Sequence, residues 1–258
     1  MHGPIDQLPQ PDTSPRQRQA ESGEFHELKH FRVFDRVEQR LVQTLIDSCS
    51  THQFRPGAVI VEQDEPLQSV MIISRGLVDL TRIEGQREFG VLLLAAHDVL
   101  MPAAALFSEP CLVSARALVR TKVCSLPVAT VRAVIKESPQ LAANLMAVTS
   151  GQWRMSVRNI LDLSSRTAAQ RVGAFLLRLA DLQSDSAVPV LPIPKRSLAS
   201  RLGITAETFS RMLQTVADNG LYLRGRTIII RDRQRIEKFC GPDPYIERDE
   251  RELGVFAL

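Results

Sequence analysis

Residues 195–220 read KRSLASRLGITAETFSRMLQTVADNG, two short helical patterns that meet at a sharp turn, Gly203-Ile204. The second pattern starts after Thr205, whose hydroxyl suits an N-cap by accepting a backbone N–H from the first helical turn. Leu198, Ala199, Leu202, Ile204, Phe209, Met212, Leu213 and Val216 recur at positions that supply the small apolar core of a helix-turn-helix. Asn219-Gly220 supplies a helix stop. The following LYLRGRTIIIRD alternates Leu221, Leu223 and Ile228, Ile230 about Gly225, which predicts a two-stranded wing.

In a helix-turn-helix, the first two turns of the second helix meet base edges. Here they carry Glu207, Ser210 and Arg211 on one face. Arginine donates two bonds to guanine O6 and N7, and glutamate accepts from cytosine N4. Glu207 also fits a second role, complementing the positive helix N-terminus for about 0.3–1 kcal/mol. Phosphates would repel a carboxylate, and with the glycine turn, wing and basic flanks, base reading is the better account. Lys195, Arg196, Ser197, Arg201, Thr205 and Thr208 are then expected to contact the DNA backbone, setting register rather than sequence. Residues 191–240 hold ten Lys and Arg against four Asp and Glu, a net +6, while the whole chain carries +3. That asymmetry points to a polyanion partner for one domain.

Working outward, residues 1–23 are polar and Pro-rich and are expected to form a disordered tail; 241–258 form a C-terminal tail without a recognisable motif. Residues 24–50 have helical texture. From Thr51 to about Ser125, short apolar runs alternate with turn signals every 8–12 residues, which predicts a jelly roll or barrel. Val128 to Asp181 reads helical. Within it, Leu141, Leu145, Val148 and Met155 form one stripe and Met146, Trp153, Ile160 and Leu163 a neighbouring one. A helix of about 25 residues spans about 37 Å and overruns a small domain, so a dimerisation helix is expected, with Leu141, Leu145, Val148, Gln152 and Met155 at its seam. The expected organisation is α+β: a sensor domain over 24–128, a dimerisation region over 129–163 and a winged helix-turn-helix over 164–240.

The 258 residues are 44% hydrophobic and 24% charged, ordinary for a globular protein. No membrane-length apolar run or signal-peptide core occurs, and Cys49, Cys111, Cys124 and Cys240 form no CxxC pair, which suits a reducing cytoplasm. Cys124 is expected to be a buried structural thiol. Cys111 lacks a basic neighbour in sequence that would favour its thiolate as a redox switch. Of the histidines His2, His26, His30, His52 and His97, only His52 and His97 fall in the β region. A metal-dependent enzyme site is therefore not expected.

Taken together, these residues resemble the CRP/FNR family of bacterial transcription regulators over about 30–240. The resemblance implies a cyclic-nucleotide-binding-like jelly roll, a dimerisation helix, a homodimer on double-stranded DNA, and RNA polymerase as a partner. Glu207, Ser210 and Arg211 match the E-x-x-S-R pattern of FNR-type recognition helices, which implies palindromic TTGA-like half-sites. The sensor departs from the cyclic-nucleotide binders of this family. Met101-Pro102-Ala103 replaces their Phe-Gly-Glu type of segment, and Val113-Ser114 stands where Arg-Ser is expected. Without ribose anchor or counter-charge, a buried cyclic phosphate is strongly disfavoured, so cyclic AMP is not expected. With the first cysteine at Cys49, neither is an iron–sulfur cluster. Met101, Pro102, Ala103, Phe107, Val113 and Ser114 are the candidate effector pocket. Haem near His97, as in nitric-oxide or carbon-monoxide sensors, a redox role, and no effector at all stay open.

Overall fold

The computed structural model describes residues 31–85, 87–181, 189–191 and 193–241. The two segments read as tails lie outside these residues but for Gly241, as do His2, His26 and His30. The period-two stretch forms eight strands: β1 (Ser50–Phe54), β2 (Val59–Val61), β3 (Ser69–Arg75), β4 (Leu77–Glu84), β5 (Arg87–Ala95), β6 (Val99–Leu100), β7 (Ser114–Ala117) and β8 (Thr121–Pro127). They pair antiparallel into two four-stranded sheets, ordered β1-β8-β3-β6 and β2-β7-β4-β5. This is the double-sheet plan of a jelly roll. Alternation turns one side chain in two inward: Val78 pairs with Leu94 and Leu80 with Leu92, and all four are buried. Asp79, between them in sequence, faces the other way.

Cys49 and Cys124 form a disulfide, with Cα atoms 6.1 Å apart. The free thiol expected at Cys124 is thus corrected. Register explains the pairing: Thr51 sits opposite Cys124, and Cys49, two residues back, projects from the same face. Cys111 is a free, buried thiol. Burial and the nearby Glu65 push its pKa up, away from the thiolate.

Helices α1 (Gln39–Asp47), α2 (Pro102–Phe107) and α3 (Val128–Glu137) pack on the sandwich, and α4 (Pro139–Ser165) runs 27 residues along its side. Leu141, Leu145 and Val148 join the sensor core, with Met155 packed against it. Gln152 Nε2 donates to Val99 O at 2.7 Å. The five residues expected at a dimer seam therefore face their own sensor domain. The neighbouring stripe is the open one, with Met146 68%, Trp153 67% and Ile160 59% exposed.

Beyond α4 come α5 (Ala168–Asp181), α6 (Lys195–Arg201), α7 (Ala206–Asp218), the hairpin β9 (Leu221–Arg224) and β10 (Thr227–Ile230), and α8 (Arg233–Cys240). Their core is separate from that of the sandwich and includes Val172, Leu176, Leu198, Phe209, Val216, Leu221, Ile228 and Ile236. Gly203, at φ +67°, makes the α6–α7 turn; Gly220, at φ +98°, ends α7 and starts the wing. A Cβ on Gly220 would lie 2.7 Å from Asp232 O. Gly220→Ala is expected to destabilise the C-terminal unit by about 1–3 kcal/mol, seen as a lower melting transition by circular dichroism.

Candidate nucleic-acid interface

Helix α7 is amphipathic, with Phe209 and Val216 buried and Glu207, Ser210 and Arg211 exposed on the opposite side. Thr205 caps it, accepting the Thr208 amide at 3.1 Å. The cap is thus provided by Thr205 rather than Glu207. Ser210 Oγ donates back to Ala206 O at 3.0 Å. Arg211 Nη2 reaches Thr208 Oγ1 at 3.5 Å and forms no ion pair among the described residues. Its guanidinium therefore keeps donors for an outside acceptor. Lys195 and Arg196 are exposed at the start of α6 and Ser197 is half-buried. All three stand near the N-terminus of one helix.

Arg201 does not join them. It is buried, and it ion-pairs with Asp79 on β4. Its Nη2 also reaches Leu92 O at 3.4 Å, and Ser200 Oγ donates to Glu88 O. Helix α6 thus lies across β5 of the sensor. Gly90 permits this approach, since a Cβ there would meet Arg201 Cβ at 3.0 Å and Cζ at 3.1 Å. Burial lowers the Arg201 pKa to about 10, which leaves the guanidinium charged at neutral pH and bound to Asp79. The expectation of a phosphate contact at Arg201 is corrected: in this arrangement its charge is spent inside the molecule. Asp79 and Gly90 were missed from sequence, although a lone acid within the apolar run LVDL was a usable signal.

Other basic residues of the C-terminal unit are also committed. Arg226 donates twice to Leu191 O, at 2.9 and 2.7 Å. Arg233 binds Asp181 at 2.8 Å and Glu237 at 2.7 Å, and these carboxylates hold its pKa above the usual arginine range. Arg231 stacks 4.6 Å over the ring of Tyr222. Lys195, Arg196 and Arg211 on α6 and α7, Arg224 at the end of β9, and Arg235 and Lys238 on α8 are exposed and form no ion pair among the described residues.

The six candidate pocket residues do not converge. Helix α2 buries Pro102 and Ala105, one turn apart, which turns Ala103 and Phe107 to the opposite side; Phe107 is 74% exposed. Met101 and Val113 pack at the margin of the core. Ser114 is buried, donating to Glu62 at 3.3 Å and accepting the Gln63 amide at 3.0 Å. His97 stands on the exposed β5–β6 turn, its ring edge-on to Phe31 at 5.1 Å. Among the described residues no group of three or more His, Cys, Asp or Glu could hold a metal ion.

The comparisons with known proteins agree with this geometry. Residues 170–239 match the model of the Crp-like helix-turn-helix domain, and residues 51–138 that of the cyclic nucleotide-binding domain. The chain is 27% identical over 192 residues to the transcriptional activator protein anr of Pseudomonas aeruginosa, covering 72% of this chain and 79% of that one. It is 24% identical over 212 residues to a CRP-like cAMP-activated global transcriptional regulator of Mycobacterium tuberculosis, covering 80% and 95%. Among solved structures, FixK2 from Bradyrhizobium japonicum superposes with a TM-score of 0.67 at 27% identity, covering 76% of this chain and 98% of that one.

Replacing Asp79 by Ala strands a buried guanidinium, and is expected to cost about 3–5 kcal/mol. Arg201→Met combined with Asp79→Leu is expected to cost much less, as measured by urea unfolding.

Proposed function

This chain belongs to the CRP/FNR family of transcription regulators, with a cyclic-nucleotide-binding-like sensor domain and a helix-turn-helix DNA-binding domain, and we propose that it acts as a homodimer on a palindromic operator with TTGA-like halves. The observation that carries this reading is the face of α7. Its apolar residues are committed to the core, while Glu207, Ser210 and Arg211 stand exposed within its first two turns. We assign Arg211 to a guanine, Glu207 to a cytosine amino group and Ser210 to the base between them in reach. Lys195, Arg196, Ser197, Thr205 and Thr208 hold the phosphates.

The seam between protomers is assigned to Met146, Trp153, Ile160 and Leu163. Three of these recur at seven-residue intervals, the spacing of a coiled-coil seam, and all four are exposed in the single chain. Pairing two α4 helices there would bury apolar area, and the twofold would place two recognition helices about one duplex turn, roughly 34 Å, apart. The remaining assignments follow from the same reading: sensor 24–128, dimerisation region 129–163, DNA-binding domain 164–240, RNA polymerase as partner, and a cytoplasmic, non-enzymatic protein. Among the described residues no helix is long and apolar enough to cross a membrane.

Selection from random duplexes is expected to return a palindrome with TTGA-like halves; a non-palindromic consensus would refute the operator assignment. Arg211→Ala should lose about 1–3 kcal/mol of discrimination at one base pair while leaving weak, salt-sensitive binding. Trp153→Glu should convert dimer to monomer in sedimentation equilibrium. Cyclic AMP should change neither melting temperature nor operator affinity, because Ala103 supplies no ribose acceptor and Val113 no counter-charge.

A further inference from the structure

The cavity enclosed by Val33, Leu45, Ile72 and Leu141 in the sensor is about 10 Å³, room for one water at most. The bond between Cys49 and Cys124 lies beside that packed interior: Ile72 on β3 sits opposite Cys124 on β8. The two sulfurs differ in access. Cys124 is buried, 1% exposed, whereas Cys49 is half-buried in the short turn between α1 and β1. Cys49 Sγ is therefore the sulfur that a small thiol can approach from solvent. Disulfides within reach of solvent exchange more readily than those sealed in a core. In a reducing cytoplasm a disulfide is rare, and one that forms there usually serves redox sensing or catalysis.

The bond joins residues 75 apart in sequence and fixes one end of a segment whose other contacts lead to α4. Asn144 of α4 donates to Val33 O at 2.9 Å and Asp35 O at 2.8 Å. Arg40 on α1 pairs with Glu137, the last residue of α3, at 3.1 Å, two residues before α4 begins. Cys124 stands on the strand that runs directly into α3. Residues 33–49 are thus tied to α4, to α3 and to β8, and the tie to β8 is covalent. Breaking it frees the end of α1 and returns conformational entropy to the segment that braces the first turns of α4.

We propose that Cys49 and Cys124 form a reversible thiol–disulfide switch, exchanged with a low-molecular-weight thiol and its disulfide, and that this switch is an input to operator binding. The regulatory role rests on the operator-binding reading above; the exchange itself does not. In reduction, a small thiolate attacks Cys49 Sγ, the Sγ–Sγ bond breaks, and Cys124 leaves with the electron pair and takes a proton. A second small thiolate attacks the small thiol's sulfur in the mixed disulfide and displaces Cys49, which takes a proton in turn. Two small thiols have become one small disulfide and the protein disulfide two thiols; oxidation is the reverse. The disulfide form holds α1 and the start of α4 in place and binds operator more tightly. By linkage, operator favours the disulfide over the dithiol by that same factor.

The test equilibrates the full chain, without DNA, in glutathione mixtures from fully reduced to fully oxidised. Free thiols are trapped with iodoacetamide and mapped by mass spectrometry. Cys49 and Cys124 are expected to pass together from dithiol to disulfide across the series, with circular dichroism retained. A disulfide that survives the most reducing mixture, or thiols that survive the most oxidising, would overturn the switch. Affinity for a duplex with palindromic TTGA-like halves is measured on the same samples and should be about fivefold or more tighter in the oxidised form. Cys49→Ser and Cys124→Ala should each bind like the reduced chain and cease to respond to glutathione. A response retained in both variants would place it on other thiols and refute the proposal. Thiol exchange with unchanged operator affinity would remove the regulatory role alone. Loss of operator binding in every mixture would sink the DNA reading and leave the exchange standing on the thiol map.

Discussion

Helix α4 runs 27 residues, about 40 Å at 1.5 Å per residue, and both halves of the molecule are fastened to it. Its first turns bury Leu141, Leu145 and Val148 in the sensor core. Buried Asn144 there donates to Val33 O at 2.9 Å and Asp35 O at 2.8 Å, pinning the turn that leads into the sandwich. Farther along, Gln152 and Asn159 bind the carbonyls of Val99 and Val91 at 2.7 and 2.8 Å. Near its end, Asp162 holds Arg166 and Arg178 and so fixes the direction in which α5 departs. The rest of the architecture follows from this one helix having a committed face.

A second constraint is the contact of α6 with β5. An ion pair between groups as buried as Arg201 and Asp79 adds little net stability over an apolar pair, because both charges are desolvated. Its effect is specificity of placement: each partner is costly to leave alone, so the two units are held in one register. The contact also withdraws a cation from the surface that would face phosphate. Sensor and DNA-binding unit thus share a residue.

Much of the fold was legible because the signals are local. The 195–220 stretch contains its own turn glycine, cap and core residues, so Thr205 caps α7 and Phe209 is buried as the spacing demands. The strand region announced itself through turns at regular intervals. The errors have a common origin. Two apolar stripes on α4 were visible, but spacing alone does not say which one meets a neighbouring domain; the Leu141 stripe met the sensor, leaving the Trp153 stripe outside. The pocket residues looked contiguous in sequence, yet a short helix sends Pro102 and Phe107 to different sides.

The sequence by itself determined the elements and the exposed face of α7, because side-chain type, periodicity and capping act within a few residues. Only the tertiary structure decided that Arg201 is an internal anchor rather than a surface cation and that Cys49 reaches Cys124. Those outcomes depend on segments far apart in the chain being brought within a few ångströms. Burial then changes what a charge can do: the same guanidinium that would meet phosphate in water becomes, once desolvated, a group that must find a carboxylate.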